Sequence, residues 1–340
     1  MIYLVTKDES FKSKYPICSV QFVLDTLGPH KSVQVDTETG GFDEHTKDIL
    51  SLQLGTPTGS HQFVIDTDSV NIQDFKQMLE GKALLLQNAK FDLKFLYKNN
   101  IYPKRVHDTF LAECVLTTGL RERSLGLDAL AFKYLDVVLD KSVRGEIHRE
   151  GLSDRVIRYG ADDVKYLYPI YNLQMQRIKK ENLQHTLSLE EQYVKVLAYT
   201  EHCGFKLDPD KWLANSTNNE KKLEKQIEVL NKMLIDHDIT MAKEGELFSE
   251  VQVSDINWKS TKQVTKLMQL LGVDTKIKIR GTEKDSIEAK HLKKFKHKHA
   301  IIPEYLKFSE LSKQVSTYGE QFLKHINGAT GRLHSNYWQI

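Results

Sequence analysis

The chain has 340 residues, of which 28% are charged and 40% hydrophobic; 48 Lys and Arg stand against 46 Asp and Glu, a net charge of +2. That length suits two domains better than one small module, and the near balance excludes a blanket polycation whose bulk charge supplies its affinity for nucleic acid. Cys18, Cys114 and Cys203 are too few and too scattered for a disulfide scaffold or a cysteine-based zinc motif, and no apolar run approaches the roughly 20 residues of a membrane helix. The N-terminus, Met-Ile-Tyr-Leu-Val-Thr-Lys, has no basic-then-apolar signal layout, so a soluble chain in a reducing, cytoplasmic compartment is the expectation.

In chain order, the first part alternates short β-rich segments with helical patterns. Lys31–Val35 reads as a strand ending in Asp36, with Leu50–Leu54 and Gln62–Ile65 as its neighbours and Thr-Pro-Thr-Gly-Ser at 56–60 as the turn between those two. Ala83–Leu86 reads as a further strand, followed by Asn88 and a helix through Phe91, Phe95 and Leu96. From about Asp108 the pattern is mainly helical, over Thr109–Leu116, Gly126–Leu135 and Ser153–Met175. A mixed sheet with helices packed on it is the fold class this predicts, α/β, over residues 1–185.

Past Leu183 the strand signal nearly vanishes. Ser188–Cys203 has helical spacing with Gly204 as its stop, and Asp208-Pro209 opens a long polar helix from Trp212 to about Ile235. Ser260–Leu271 and Pro303–Phe322 are further helices, which makes 186–340 a mainly helical domain. Charge divides almost evenly, with 24 bases against 25 acids in 1–185 and 24 against 21 in 186–340. Locally it does not: Lys290–His299 reads KHLKKFKHKH, five lysines and three histidines in ten residues. By itself such a run is most simply a solvated face. Histidines 291, 297 and 299 have no cysteine or acid pattern around them, which argues against a metal site there.

The sharpest feature is Val-Asp-Thr-Glu-Thr-Gly at 35–40, at the end of a predicted strand. Alternation along a strand puts Asp36 and Glu38 on one face and turns Thr37 away. Adjacent carboxylates repel and resist burial unless a cation neutralises them, and hard divalent ions suit an all-oxygen site. Two later segments supply more acid. Gln-Asn-Ala-Lys-Phe-Asp at 87–92 brings Asp92 near a helix start, and Tyr-Gly-Ala-Asp-Asp-Val at 159–164 puts Tyr159 and Asp163 one helical turn apart. Asp162 is rotated about 100° from Asp163 and is the weaker ligand candidate.

These segments, Asp-x-Glu, then Asn-x-x-aromatic-Asp, then Tyr-x-x-x-Asp, with 54 residues from Glu38 to Asp92 and 71 from Asp92 to Asp163, resemble the three motifs of the RNase H-like 3′–5′ exonucleases of the Asp-Glu-Asp-Asp-Tyr type. The resemblance implies Asp36, Glu38, Asp92, Tyr159 and Asp163 as catalytic residues. Their four acids would hold two divalent ions, Mg²⁺ or Mn²⁺, one activating the attacking water and the other stabilising the leaving oxygen. Tyr159, with an ordinary pKa near about 10, would orient water with Glu38 and not serve as base. The resemblance further implies substrate contacts at Phe42, which would stack on the terminal base or be core; at Asn88, which would touch the terminal nucleotide or cap its helix; and at Asp108, for which a helix cap competes.

The second part resembles family A DNA polymerases of the polymerase I type. Val196–Asp208 is similar to their exonuclease–polymerase connection, Asn257–Val264 and Glu304–Tyr318 to thumb segments, and Thr330–Ser335, followed by Gln339, to the entry of the palm. That implies a thumb-like helical domain gripping primer–template duplex, with Lys293, Lys294, Lys296 and Lys298 on its phosphates. Palm and fingers motifs do not occur before Ile340, so this chain alone is expected to hydrolyse a single-stranded DNA 3′ end in proofreading and not to polymerise. It would be a monomer that takes a palm and fingers portion in cis or in trans. A bacterial or phage origin fits the family. An exoribonuclease and a non-catalytic primer–template module are the alternatives.

Overall fold

In the computed structural model, residues 1–143, 145–237, 239, 241–242, 250–251, 256–279 and 281–339 are described. They form two compact units, one of Met1–Phe205 with Gly328–Ile340 and one of Lys206–Asn327.

The first unit is built on six strands: β1 (Ile2–Val5), β2 (Ser32–Thr39), β3 (Ile49–Gly55), β4 (Gln62–Asp66), β5 (Ala83–Leu86) and β6 (Arg105–Asp108), in the order β1-β4-β3-β2-β5-β6. β3 runs antiparallel to both β2 and β4, while β5 pairs with β2, β6 with β5 and β1 with β4, all in parallel. This is the RNase H-like mixed sheet that the motifs imply. Its helices are α1 (Val20–Leu27), α2 (Lys76–Gly81), α3 (Ala89–Lys98), α4 (Thr109–Leu116), α5 (Leu127–Leu135), α6 (Ile147–Glu150), α7 (Asp154–Lys165), α8 (Leu167–Lys180) and α9 (Gln184–Cys203).

Helices cover the sheet, so β2 buries polar as well as apolar residues. Val33 and Val35 are fully buried, and so is Gln34. Gln34 is satisfied because its Nε2 donates to the Thr56 carbonyl at 2.6 Å and its Oε1 accepts from the Tyr168 N–H at 2.7 Å. α7 packs across β2, β3 and β4. Gly160 permits that approach, since a Cβ there would meet the Gln53 side chain at 3.0 Å. One helix was expected over Ser153–Met175, and the chain makes two, α7 and α8. Pro169 has no N–H to give the Lys165 carbonyl, so it is accommodated in the first turn of a new helix.

The expected domain boundary at 185/186 differs from the compact units. Leu187, Val194 and Ala198 of α9 belong to the same core as Val33, Val35 and Leu52 of the sheet, which keeps α9 in the first unit. Gly328–Ile340 returns to it as well: Phe205 and Leu333 exchange backbone hydrogen bonds at 2.9 Å, and Arg332 Nε donates to the Cys203 carbonyl at 2.7 Å.

The second unit contains α10 (Pro209–Asp236), α11 (Thr261–Leu270), α12 (Ala289–Leu292) and α13 (Ile301–Tyr318), with an antiparallel pair of Lys276–Ile279 and Thr282–Asp285. α10 starts as its sequence dictates, with the Asp208 side chain accepting from the Lys211 N–H and Pro209 just inside. It buries a narrow stripe, Ser216, Leu223, Leu230 and Leu234, and lies along α13. Trp258, Val264, Leu267, Met268, Tyr305 and Phe308 complete that core. α13 ends at Tyr318, ahead of the expected Phe322, because the chain turns extended at Gly319 and continues as a 3₁₀ segment, Glu320–His325. Among the described residues no helix is long and apolar enough to cross a membrane.

Candidate active site

β2 carries Asp36 and Glu38 on one face, as strand alternation requires, and α7 lays Asp163 against that face. One carboxylate oxygen from each of Asp36, Glu38 and Asp163 lies within 4.8 Å of the others. Tyr159, one turn before Asp163, is buried and hydrogen-bonds to it. Asp92 comes from the other side of β2, on the first turn of α3, and stands outside that trio. Its Oδ1 accepts a hydrogen bond from Thr37 Oγ1 at 2.6 Å. Thr37 does turn away from Asp36 and Glu38, and in doing so holds the fourth acid.

The electrostatics of this cluster are strained. Asp36 is pushed well above the usual carboxylate range, first by desolvation and then by the charges of Asp92, Asp163 and Glu38, with Lys141 opposing. Desolvation also raises Asp92, to about 7, against the hydrogen bond from Thr37. Asp163 is raised by burial, while Lys141 and Tyr159 pull it down. Burial and the neighbouring carboxylates push the Tyr159 hydroxyl far above its ordinary value, so it remains a donor at any working pH. Lys141 Nζ lies 3.5 Å from Asp163 Oδ1 and 5.8 Å from the centre of the Tyr159 ring. A set of hard oxygen donors that repel one another and are held short of water is the environment a divalent cation fits. Tyr159 and Asp163 also line a cleft of about 340 Å³ with Lys14, Arg155 and Arg158. Asp162 faces that cleft but pairs with Arg158 Nε at 2.7 Å and is not part of the trio.

The expected substrate contacts divide. Phe42 is not core: it is 87% exposed, with Phe91 behind it at 6.3 Å between ring centres. Asn88 sits in the left-handed region at φ 61° and makes no side-chain cap, which leaves its amide uncommitted to the helix. For Asp108 the competing role accounts for what is seen, and substrate contact is corrected. It is buried, its oxygens accept from the N–H groups of Asn88, Ala89 and Phe110 at 2.8–2.9 Å, and it thereby caps α3 and α4 together. Lys293, Lys294, Lys296 and Lys298 are all exposed, around the short 3₁₀ turn Lys293–Phe295. Lys298 additionally donates to the Gly272 carbonyl at 2.7 Å.

Residues 20–179 match the family model for 3′–5′ exonuclease, and residues 225–340 match that for DNA polymerase family A. The chain thus joins a stretch similar to 3′–5′ exonucleases to one similar to family A DNA polymerases. DNA polymerase I of Borreliella burgdorferi is 23% identical over 350 residues, covering 98% of this chain and 36% of the relative. Ribonuclease D of Haemophilus influenzae is 31% identical over 160 residues, covering 45% of this chain and 39% of the relative. Among solved structures, the POL domain of Pol1 from M. smegmatis, in complex with DNA primer-template and dNTP, superposes with a TM-score of 0.67 at 19% identity, over 93% of this chain and 50% of that one. That likeness is one of fold. The chain spans 25–36% of the length of the DNA polymerase I relatives from Borreliella burgdorferi and Treponema pallidum. Asp36, Glu38, Asp92, Tyr159 and Asp163 all fall within the stretch matched to the exonuclease model.

Thr37 and Lys141 were missed by the sequence reading. Thr37 carried a signal, since its place in the Asp-Thr-Glu alternation aims it at the opposite face. Lys141 lies between α5 and α6 and carried none.

Proposed function

We propose that the first unit hydrolyses DNA from a single-stranded 3′ end, releasing 5′-mononucleotides, as the proofreading exonuclease of a family A DNA polymerase in the cytoplasm of a bacterium or phage-infected cell. The observation that carries this is the convergence of Asp36, Glu38 and Asp163 within 4.8 Å, with Tyr159 bonded to Asp163. Divalent metal is the cofactor class of such exonucleases, and Mg²⁺ or Mn²⁺ suits an all-oxygen set. Asp36, Glu38 and Asp163 would hold it, with Asp92 supporting Asp36 from behind. When bound, the ions supply Lewis acidity and charge neutralisation toward the phosphoryl oxygens.

The protein's own groups do the rest. Tyr159, held in its protonated form, donates a hydrogen bond and fixes orientation beside Asp163 and Glu38. Thr37 keeps the Asp92 carboxylate aimed at β2. Phe42 offers an exposed ring face on which an unpaired terminal base can stack without regard to sequence, and the Asn88 amide is free to meet the terminal nucleotide. In the second unit, Lys293, Lys294, Lys296 and Lys298 supply sequence-independent phosphate contacts to a primer–template duplex. The chain works as a monomer, and synthesis requires a palm and fingers portion in cis or in trans.

The test is digestion of 3′-labelled single-stranded DNA with Mg²⁺ or Mn²⁺ and its loss in Asp36→Ala; undiminished hydrolysis by that variant would refute the assignment. The likeness to ribonuclease D favours one second reading, an exoribonuclease. Matched DNA and RNA oligonucleotides separate the two, faster trimming of RNA deciding for the second.

A further inference from the structure

A second cluster of metal-grade ligands lies in the first unit, built from different chemistry. Glu44 and His45 follow β2 in the loop to β3, and His202 is on the last turn of α9. One donor atom from each lies within 4.8 Å of the others. All three side chains are largely buried, with 5%, 10% and 19% of their surface exposed. Glu44 Oε1 is the point of convergence, 3.3 Å from His45 Nε2 and 3.4 Å from His202 Nδ1. The other carboxylate oxygen, Oε2, faces Lys94 Nζ at 3.7 Å. The rings of His45 and His202 stack at 4.9 Å.

Proton bookkeeping leaves this cluster open to a cation. His334 Nδ1 lies 2.8 Å from the Glu201 carbonyl oxygen, which can only accept, so that nitrogen carries the proton. His334 Nε2 then accepts from Thr330 Oγ1 at 2.8 Å. The same His334 N–H stands 3.1 Å from His45 Nε2. If His45 Nε2 is protonated, its N–H faces Glu44 Oε1 at 3.3 Å and the His334 N–H stays on the Glu201 carbonyl. If it is bare, its single lone pair is open to the His334 N–H or to a cation. A cation held by Nε2, Oε1 and His202 Nδ1 would then neutralise a Glu44 approach that no proton bridges.

The spacing suits one. Bonds of about 2.0–2.1 Å to a tetrahedral ion set its ligand atoms about 3.3–3.4 Å apart along each edge. The two edges at Glu44 Oε1, 3.3 and 3.4 Å, match that separation before any movement. Two imidazoles and one carboxylate make a borderline donor set, unlike the all-oxygen trio at Asp36, and such a set selects zinc-class ions over Mg²⁺.

We propose that Glu44, His45 and His202 bind one divalent transition-metal ion of the zinc class, at a site distinct from the acidic cluster. The ion would tie the loop after β2, which also carries Phe42, to the end of α9. Its role is therefore that of a clamp between segments far apart in sequence.

The experiment uses the full chain carrying Asp36→Ala and Asp163→Ala, which removes the competing oxygen site. Zn²⁺ is titrated against a chromophoric chelator, and Co²⁺ is followed by its visible absorption. One equivalent of Zn²⁺ and the intense bands of four-coordinate Co²⁺ are expected. Adding His45→Gln or His202→Gln should weaken Zn²⁺ by more than about 100-fold, beyond the 10–100-fold typical of an outer-shell partner. Absence of stoichiometric Zn²⁺ in the acid-free chain, or affinity in the histidine variants unchanged from that chain, overturns the proposal. Histidine ring NMR signals read ligation without substitution at the site: resonances of His45 and His202 that do not move on adding Zn²⁺ overturn it equally.

Discussion

The first unit gathers Asp36, Glu38, Asp92 and Asp163 around one strand, two of them buried, whereas the second leaves Lys293, Lys294, Lys296 and Lys298 exposed on a turn. Both are clusters of like charge, but their physics differ. Repulsion among the acids is sharpened by a surrounding of low polarity, and it stays as strained carboxylates until a cation arrives. Repulsion among the lysines is screened by water and salt, within about 10 Å at 0.1 M, and costs the fold little. A net charge of +2 is therefore no guide to either surface. The acids suit chemistry at a point, and the lysines suit adhesion along a backbone.

If the two clusters are independent, they break separately. Asp163→Ala should lower single-strand hydrolysis by about a thousandfold or more, as befits a group holding the reacting charge, and leave duplex binding unchanged. Asp162→Ala, removing an acid paired with Arg158 and outside the trio, should stay within a fewfold of the parent. Comparable losses in both variants would dissolve the distinction between site and surface.

Replacing Phe42 by Ala should come next in size. Loss of a base stack costs about 1–3 kcal/mol, roughly 5- to 150-fold in kcat/KM on single strands. Melting should be almost unmoved, because the ring is 87% exposed. A large drop in Tm would instead mark Phe42 as structural.

Neutralising Lys293, Lys294, Lys296 and Lys298 to Gln together should weaken duplex binding and flatten its salt dependence. Each lost phosphate contact removes about 0.9 from the slope of log affinity against log salt. Single-strand hydrolysis should be retained. An unchanged slope would place the duplex grip elsewhere.

The smallest expected effect is on stability. Desolvation raises Asp92 from 3.8 to about 7, so the folded state keeps a proton that the unfolded chain has released over that interval. Without metal, the contribution of Asp92 to stability is then full at the acid end and is lost as pH rises from about 4 to about 7. Asp92→Asn should melt higher than the parent at pH 8, by about 2–4 °C for each kcal/mol relieved, and no higher below pH 4. Thermal melts in chelator across that range provide the check.

Much of the site was legible because it is local. Asp36 and Glu38 follow from a period of two, Tyr159 and Asp163 from a helical turn, and Asp92 from its motif. What was not legible depends on contacts remote in sequence. β1 and β6 are four residues each and exist by parallel pairing with β4 and β5. Asp108 gave no sign that it would cap a helix starting 19 residues before it. Lys141 reaches Asp163 only because its segment folds back over α7. The split of α7 from α8 was legible in Pro169 and was overlooked, since apolar spacing continues across it.

The backbone pairing of Phe205 with Leu333 fixes more than a domain boundary. The chain leaves the first unit and re-enters it at one place, so Lys206–Asn327 is an excursion with joined ends. Closing a loop costs entropy only as the logarithm of its length. The host fold is therefore nearly indifferent to how long the excursion is. An inserted body of this kind can be lengthened, exchanged or excised at the level of the gene while the sheet and its carboxylates keep their frame.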